Sequence, residues 1–266
     1  MAHRNPAPRN GATRREAPPA PAFAWAPERI RFEDEWLIIV DKPAGLPTQP
    51  TLDARRASAQ STLAAFLRER DGGTTYLGLQ HRLDRDTSGV LLFTRDPRAN
   101  KGVTELFAGK AVRKTYLALA VTGESAPDSW EVVNHLGVVG REGKASRFGA
   151  VRSGGDPART TFRVIERVTG AMLVEASPHT GRTHQIRAHL AEGGHPILGD
   201  PFYGGPARFP AGGKGGTISV PRVMLHAAGL EFVHPMTQVA LKVTCPWPED
   251  FEGCLRALRC ATASPP

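Results

Sequence analysis

The stretch Gln80-His81-Arg82-Leu83-Asp84-Arg85-Asp86-Thr87-Ser88-Gly89, followed at once by the apolar run 90–93, decides how the rest of this sequence is read. Charged residues directly ahead of a short apolar run predict a loop that enters a buried strand. A carboxylate beside an arginine is favoured in its ionised form, and an ionised, positioned carboxylate acts as a nucleophile or general base. From the spacing alone, however, a solvated loop whose charges pair with one another is the better explanation.

The apolar runs outside this loop predict a sheet flanked by helices. Strands that come in pairs, without a regular strand–helix–strand alternation, indicate an α+β fold with a mixed, largely antiparallel sheet. Residues 204–222 are rich in Gly and Pro and are expected to form a surface loop. The expected strands are 36–40, 90–93, 115–121, 162–168, 172–176, 230–233 and 240–244, and the expected helices are 61–70, 97–107, 183–192 and 249–258.

The chain divides into a short tail and one large domain. Residues 1–27 are rich in Pro, Ala and Arg and bury too little apolar area to offset their ordering entropy, which predicts a disordered basic tail. Residues 28–266 are expected to form a single folded domain, because 40% of the chain is hydrophobic and its length suits one large core.

Composition narrows the class of partner. Lys and Arg number 34 against 26 Asp and Glu, and the net charge of +8 favours a polyanion, either a nucleic acid or an anionic membrane surface. No apolar run approaches the roughly 18 residues of a membrane-spanning helix. The three cysteines form no CxxC pair, which argues against a disulfide framework and a cysteine zinc site and favours a reducing cytosol.

A second charged stretch, residues 178–190, is expected to open a helix. Thr183 is the expected N-cap, and the helix N-terminus between Arg182 and Arg187 suits a phosphate or a carboxylate. His184 and Arg187 are three residues apart and therefore share a helix face.

Four histidines crowd this part of the chain: His179, His184, His189 and His195. Neighbours are five or six residues apart, so no pair has the spacing of a helical zinc motif, and no HExxH sequence is present. No metal site is therefore predicted, although a metal-dependent hydrolase built on these histidines stays open as an alternative.

A third stretch places Lys110, Arg113 and Lys114 ahead of Tyr116 at the start of an expected strand. Cations followed by an aromatic ring suit a grip on a nucleic-acid backbone with a base stacked on the ring. A tyrosine half-buried in a sheet, with its lysines in water, is the commoner situation.

Together these stretches resemble the RluA-like family of pseudouridine synthases, from about residue 32 to residue 246. No single motif is specific, but their order and separations are. The motifs are Lys42-Pro43-Ala44-Gly45, His81-Arg82-Leu83-Asp84, Lys114-Thr115-Tyr116, the run 180–187, His195-Pro196-Ile197-Leu198-Gly199-Asp200, Tyr203-Gly204, Leu225-His226-Ala227 and His234-Pro235.

The resemblance implies a pseudouridine synthase fold with an active-site cleft across the central sheet. It implies an enzyme that isomerises uridine in ribosomal or transfer RNA without a metal or other cofactor. Asp84 matches the catalytic aspartate of the family. Tyr116 matches the tyrosine that stacks on the target uracil and is a candidate base, and Arg187 matches the arginine that pairs with the aspartate.

The resemblance also implies a set of substrate contacts. Many family members carry a small RNA-binding domain ahead of the catalytic one, and none is expected here, which favours a compact stem-loop target. The expected protein is a cytoplasmic monomer with RNA as its partner and no membrane association. A non-catalytic RNA-binding protein or RNA chaperone of the same fold is the other alternative. The expected RNA-binding residues are His81, Arg82, Arg85, Thr87, Lys114, Arg182 and His184.

Overall fold

The computed structural model describes residues 23–51, 56–122, 126–143, 145–168, 170–211 and 216–263. These ranges contain the strands β1 (Ile30–Glu33), β2 (Leu37–Lys42), β3 (Gly78–Leu79), β4 (Ser88–Thr94), β5 (Arg113–Val121), β6 (Ser129–Glu142), β7 (Ala145–Ala150), β8 (Asp156–Val168), β9 (Ala171–Pro178), β10 (Arg208–Ala211), β11 (Gly216–Ser219), β12 (Leu225–Val233) and β13 (Ala240–Thr244). The α-helices are α1 (Ala59–Asp71), α2 (Asn100–Ala108), α3 (Gln185–Glu192) and α4 (Glu249–Ala263).

One large sheet organises the domain. Its strands follow the order β1-β2-β4-β12-β5-β9-β8-β6-β7, with β3 paired to β4 and β13 paired to β12. Only β4 and β12 pair in parallel among the described strands; the other pairs are antiparallel. The expected α+β fold with a mixed, largely antiparallel sheet is confirmed. No helix in the described ranges is long and apolar enough to cross a bilayer.

The first half of the sheet is covered on both faces. Ile38 of β2 packs in a buried cluster with Leu63 and Leu67 of α1. Its neighbour Ile39 packs in a different cluster, with Val103 of α2. Because successive strand residues point to opposite faces, β2 reads as a continuous apolar run rather than an alternating one.

The helices that cover this half have clear start signals. α1 begins with a capping box in which the Ser58 side chain accepts from the Ser61 backbone and the Ser61 side chain accepts from the Ser58 backbone. α2 follows a 3₁₀ turn, Pro97–Ala99, in which the Asp96 side chain accepts from the Arg98 N–H at 2.8 Å. The expected helix from 97 to 107 is thus a 3₁₀ turn continued by an α-helix.

Gly89 lets β4 run beside β12. Its φ is +112°, and a Cβ atom added there would lie 2.1 Å from the carbonyl oxygen of Ala227. Ala227 pairs with Gly89 on one side and with Tyr116 of β5 on the other. Because Gly89 permits this pairing, only β12 separates the start of β4, and the loop that precedes it, from Tyr116 on β5.

The folded body begins earlier than the expected boundary at residue 28. Trp25 is buried, and its Nε1 donates to Thr62 Oγ1 at 2.9 Å, with Phe23 packed edge-on against its ring. The division into tail and domain stays a prediction, and this aromatic pair supplies apolar area that the Pro-rich composition masks. Residues 1–22 of the expected tail lie outside the described ranges.

The expected surface loop over 204–222 is wrong, because the segment contains two strands, Arg208–Ala211 and Gly216–Ser219. β10 and β11 form an antiparallel hairpin there, and Phe209 and Ile218 are buried in the largest hydrophobic cluster. Two apolar anchors between glycines and prolines are enough to fix the hairpin, and composition averaged over the segment hides them.

No strand was expected over residues 129–150, where β6 and β7 form a long hairpin. β6 is largely exposed, and Leu136 is its one fully buried residue. A strand with little burial gives almost no hydrophobic signal in the sequence. β7, at the end of the sheet, contacts α3 and so brings the hairpin to the site described next.

Candidate active site

A cavity of about 600 Å³ opens where the expected motifs meet. Its walls come from the loop ahead of β4, from the end of α2 with the start of β5, and from the segment that leads into α3. Nine of the ten expected site residues line it: His81, Arg82, Asp84, Thr87, Lys114, Tyr116, Arg182, His184 and Arg187.

Arg187 joins two carboxylates at the floor of this cavity. Its Nη1 lies 3.3 Å from Oδ2 of Asp84. Its Nε and Nη2 donate to Asp200 Oδ2 and Oδ1 at 2.6 and 2.8 Å. The Asp200 side chain is 1% exposed and that of Arg187 is 11% exposed, so the pair is desolvated and rigid.

The surroundings keep Arg187 charged. Burial acts to lower its pKa, but the hydrogen bonds and charge of Asp200, followed by those of Asp84, raise it above the ordinary value. The guanidinium also lies over the ring of Tyr203, 4.9 Å from the centroid. A fixed cation therefore faces Asp84.

The loop that carries Asp84 is fastened from below by Lys42. The Lys42 side chain is fully buried, and its Nζ donates to the carbonyl oxygens of Pro43 and Leu46 at 2.8 Å and of Arg85 at 3.0 Å. Burial lowers the pKa of Lys42 to about 7, and the charges of Asp86 and Asp84 oppose this shift. The three carbonyls match the three donors of an ammonium group.

Two further contacts fix the residues on either side of Asp84. Thr48 Oγ1 donates to the Leu83 carbonyl at 2.7 Å and accepts from the Leu83 N–H at 3.1 Å. The N–H of Gly45 donates to the Arg85 carbonyl at 2.9 Å. The turn after β2 thus holds both neighbours of the aspartate.

Tyr116 stands on β5, with Ala227 of β12 and Ala176 of β9 as its strand neighbours. Small residues on both sides leave its ring open to the cavity. Desolvation raises the pKa of Tyr116 above its ordinary value, and the negative charge of Asp84 adds to the shift. The phenol is protonated at neutral pH and can offer a stacking surface and a hydrogen-bond donor, and the role of Tyr116 as a candidate base stays a prediction.

His81 forms part of the wall rather than a free ligand. Its Nε2 accepts from the backbone N–H of Leu92 at 2.9 Å, and its ring stacks on Phe107 with centroids 4.6 Å apart. Desolvation lowers the pKa of His81 to about 3, with a further contribution from the charge of Lys114. The ring is therefore neutral and forms part of the cavity wall.

Lys114 points from β5 across the cavity. Its Nζ donates to the carbonyl oxygen of Thr180 at 2.8 Å. Burial lowers the pKa of Lys114 to about 8. The bond to Thr180 is the one hydrogen bond of this Nζ among the described residues, and since an ammonium group has three donors, two remain for a ligand in the cavity.

Arg82 and Arg182 lie at the exposed rim. Arg82 Nη2 donates to Thr183 Oγ1 in a short hydrogen bond. Arg182 Nε donates to the Pro157 carbonyl at 3.2 Å, and its Nη1 lies 3.7 Å from Asp156. Both cations border the opening of the cavity.

The start of α3 differs from expectation. The helix begins at Gln185, its N-cap is His184 in the left-handed conformation with φ of 57°, and no side chain caps it. Thr183 is therefore not the N-cap, because its hydroxyl is engaged by Arg82. The left-handed turn directs the His184 ring towards Asp84, with Nε2 3.9 Å from Oδ2.

Arg85 is the one expected site residue that does not line the cavity. Its guanidinium is bonded to Asp86 at 2.8 and 2.9 Å and is largely exposed. Thr87, in contrast, is buried and lines the cavity; its N–H donates to the carbonyl of Asp84 at 3.2 Å and closes a tight turn.

The four crowded histidines do not converge. His179 bonds Thr161, His184 faces Asp84, His189 bonds Thr160 and Asn134, and His195 lies against Trp130. Within the part of the chain that the structure describes, no group of three or more His, Cys, Asp or Glu side chains is placed to hold a metal ion. The donor geometry of a histidine-based metal centre is therefore missing from this region.

The sequence reasoning missed three residues that organise the site: Lys42, Asp200 and Tyr203. All three lie inside the motifs that carry the family resemblance, but no local sequence pattern distinguishes any of them as a site residue. A lysine in a turn, an aspartate in a loop and a single tyrosine are ordinarily surface or packing residues. Only their burial against Asp84 and Arg187 reveals them.

Comparison with known proteins decides the family. A family model described as RNA pseudouridylate synthase matches residues 36–192. The chain belongs to this family. The match spans the Asp84 loop, β5 and α3, which are the elements that meet at the cavity, and it confirms the resemblance drawn from the sequence.

Two relatives are also similar to most of this chain. The chain is 37% identical over 236 residues to ribosomal large subunit pseudouridine synthase D of Nitrosomonas europaea, and covers 66% of that protein with 88% of its own length. It is 36% identical over 230 residues to synthase C of Vibrio vulnificus, with 86% of this chain and 69% of the relative aligned. The chain thus spans about two thirds of these relatives.

The fold is shared with solved structures. Human RNA pseudouridylate synthase domain containing 4 superposes with a TM-score of 0.68 and 27% identity, over 87% of this chain and 93% of that one. Human RNA pseudouridylate synthase domain containing 1 gives 0.64 and 25%, over 89% and 95%. The pseudouridine synthase fold is confirmed.

Proposed function

We propose that this protein converts uridine to pseudouridine in ribosomal RNA of the large subunit, with Asp84 as its catalytic carboxylate. The relatives named above, which act on ribosomal large subunit RNA according to their names, support the substrate. The proposal includes a monomer that acts in the cytoplasm without a cofactor. Transfer RNA is the second substrate to be tested.

The observation that carries the proposal is the placement of Asp84. A carboxylate that is 25% exposed faces a cavity, is held by a desolvated arginine, and lies on a loop fastened at both flanking residues. A solvated loop, which the spacing alone favoured, needs none of these constraints. Preorganised groups of this kind avoid reorganisation during the reaction.

The reaction needs no external group. The bond from uracil N1 to ribose C1′ breaks, the uracil turns, and C5 bonds to C1′ while C5 loses its hydrogen as a proton and N1 gains one. Asp84 is the group proposed to assist departure of the base and removal of the proton. A cavity that keeps the detached uracil away from water prevents its escape.

Tyr116 and the cations that line the cavity serve the substrate in this proposal. A target uridine must leave its stack to reach the floor of the cavity, and a flat ring replaces the lost stacking. Lys114, Arg82 and Arg182 line the cavity, and in this proposal they contact the phosphates on either side of the extruded nucleotide. His81 and Thr87 shape the wall, while Arg85 is left for outer contacts.

The substrate is tested with two transcripts, one of large-subunit ribosomal RNA and one of transfer RNA. Each is incubated with the protein, and carbodiimide-modified pseudouridines are mapped by primer extension. New stops in the ribosomal transcript alone are the expected result. Stops in the transfer RNA alone would contradict the proposed substrate, and stops in neither, under conditions where the protein binds both, would contradict the activity.

A further inference from the structure

Tyr203 connects the β6–β7 hairpin to the site. It ends a 3₁₀ turn, Pro201–Tyr203, and is 4% exposed. Its hydroxyl accepts from the backbone N–H of Phe148 at 3.0 Å and lies 3.1 Å from Nδ1 of His184. These are its hydrogen-bond partners among the described residues.

The donors and acceptors around this hydroxyl determine the direction in which its O–H points. A phenol has one O–H to donate, and the Phe148 N–H can only donate, so the proton of Tyr203 needs another acceptor. Among the residues that the structure describes, His184 Nδ1 is the acceptor within hydrogen-bond distance of the hydroxyl. Because Nδ1 accepts, the neutral ring must carry its proton on Nε2, the nitrogen that faces Oδ2 of Asp84 at 3.9 Å.

The ring of His184 has little freedom to turn away. The left-handed backbone at His184, with φ of 57°, sets the direction of the side chain, and histidine is one of the few residues besides glycine that adopt this conformation with some frequency. Phe148, Phe202 and Tyr203 meet the ring edge-on, with centroids 5.7 to 5.9 Å away.

Charges of both signs face His184. Burial lowers its pKa, the carboxylates of Asp84 and Asp200 act to raise it, and the guanidiniums of Arg187 and Arg82 act to lower it. The net shift is downward, in agreement with a neutral ring. The hydrogen-bond argument and the charges thus lead to the same protonation state.

We propose that His184 is a positioning residue whose Nε2–H, oriented by Tyr203, holds Oδ2 of Asp84 together with Nη1 of Arg187. Both contacts end on Oδ2, so Oδ1 is left for the uridine; it has no hydrogen-bond partner among the described residues. The 3.9 Å separation is long, as such contacts often are before substrate binds. This inference rests on the proposed role of Asp84 and replaces direct RNA contact as the expected role of His184.

The tautomer can be observed without any substrate. Nitrogen-15 NMR of the imidazole rings distinguishes an Nε2-protonated ring from an Nδ1-protonated ring and from imidazolium, and a His184→Asn sample assigns the signal. The expected result is an Nε2-protonated ring at neutral pH in the wild type and a mixture of tautomers in Tyr203→Phe. An Nδ1-protonated ring or an imidazolium in the wild type would overturn the proposal, whatever the enzyme's activity.

Kinetics then test the consequence. Tyr203→Phe keeps the ring beneath Arg187 and should lower kcat about three- to tenfold, as expected for one hydrogen bond of ordinary strength, with KM unchanged. His184→Asn, which suits the left-handed backbone, should lower kcat similarly. His184→Gln, whose amide reaches the Nε2 position, should recover part of the loss.

Tyr76→Phe is the matched control. Tyr76 is partly exposed on another surface, where its hydroxyl accepts from Asn100 at 2.6 Å, and its loss should leave kcat unchanged. A wild-type kcat in both His184→Asn and Tyr203→Phe would overturn the positioning role. Absence of turnover in the wild type would instead refute the proposed function, while the tautomer would still be readable by NMR.

Discussion

Asp200 binds Arg187 through both carboxylate oxygens, at 2.6 and 2.8 Å, and leaves the remaining nitrogen, Nη1, directed at Asp84. Asp200 is the more deeply buried of the two carboxylates, with 1% of its side chain exposed against 25% for Asp84. One carboxylate therefore orients the arginine and the other faces the cavity. The two carboxylates thus have different roles because they are buried to different extents.

Asp200→Ala should destabilise the protein by about 3 kcal/mol, because it leaves a buried arginine without its main partner. The measurement is the free energy of unfolding in denaturant. Glu166→Ala is the control: Glu166 binds Arg259 through both carboxylate oxygens at 2.8 and 2.6 Å, but the two side chains are 31% and 51% exposed, so about 1 kcal/mol or less is expected. Equal losses in the two variants would show that Asp200 is not a buried support.

Lys42→Met should destabilise the protein by at least about 2 kcal/mol, since three carbonyl oxygens would lose their donor. It should also lower kcat, because the Arg85 carbonyl next to Asp84 would be released. Thermal unfolding and turnover measure the two effects. Lys242→Met removes an exposed lysine and should change stability by less than about 0.5 kcal/mol. Full activity of a folded Lys42→Met protein would contradict the fastening of the loop.

The affinity for RNA should fall as pH rises through about 8. Lys114 has its pKa lowered to about 8 by burial, and only its protonated form attracts phosphate. Binding isotherms between pH 7 and pH 9 at constant salt measure this dependence. In Lys114→Arg the charge persists over the whole range, so the curve should flatten. An unchanged slope in Lys114→Arg would assign the dependence to another group.

The sequence predicted the fold class and most elements because buried segments carry a strong apolar signal. The strands around Ile38, Leu91 and Leu119 and the helix that presents Leu63 and Leu67 were all expected, with ends within a few residues of those observed. β6 and β7 were not expected, because they are exposed and sit at the end of the sheet. The hairpin of β10 and β11 was masked by its glycines and prolines.

The site was predicted only in part, because some of its residues stand in recognisable motifs and others do not. Asp84, Tyr116 and Arg187 stand in motifs that resemble a known family, and the structure brings them to one cavity. Their supports, Asp200 and Tyr203, depend on contacts between segments that are distant in sequence. The left-handed turn at His184 was also hidden, since local pattern favoured Thr183 as the N-cap. Hydrogen bonds between residues that are distant in sequence produce no periodic sequence pattern from which they could be predicted.

Tritium release from RNA labelled at uracil C5 tests the central claim most directly, because forming the C5 glycosidic bond expels that hydrogen. The experiment compares the wild type with Asp84→Asn and with Asp86→Asn, whose carboxylate lies two residues away and pairs with exposed Arg85. Release by the wild type and by Asp86→Asn, with none from Asp84→Asn, is the predicted result. Equal release by the wild type and Asp84→Asn would contradict the assignment of Asp84 as the catalytic carboxylate.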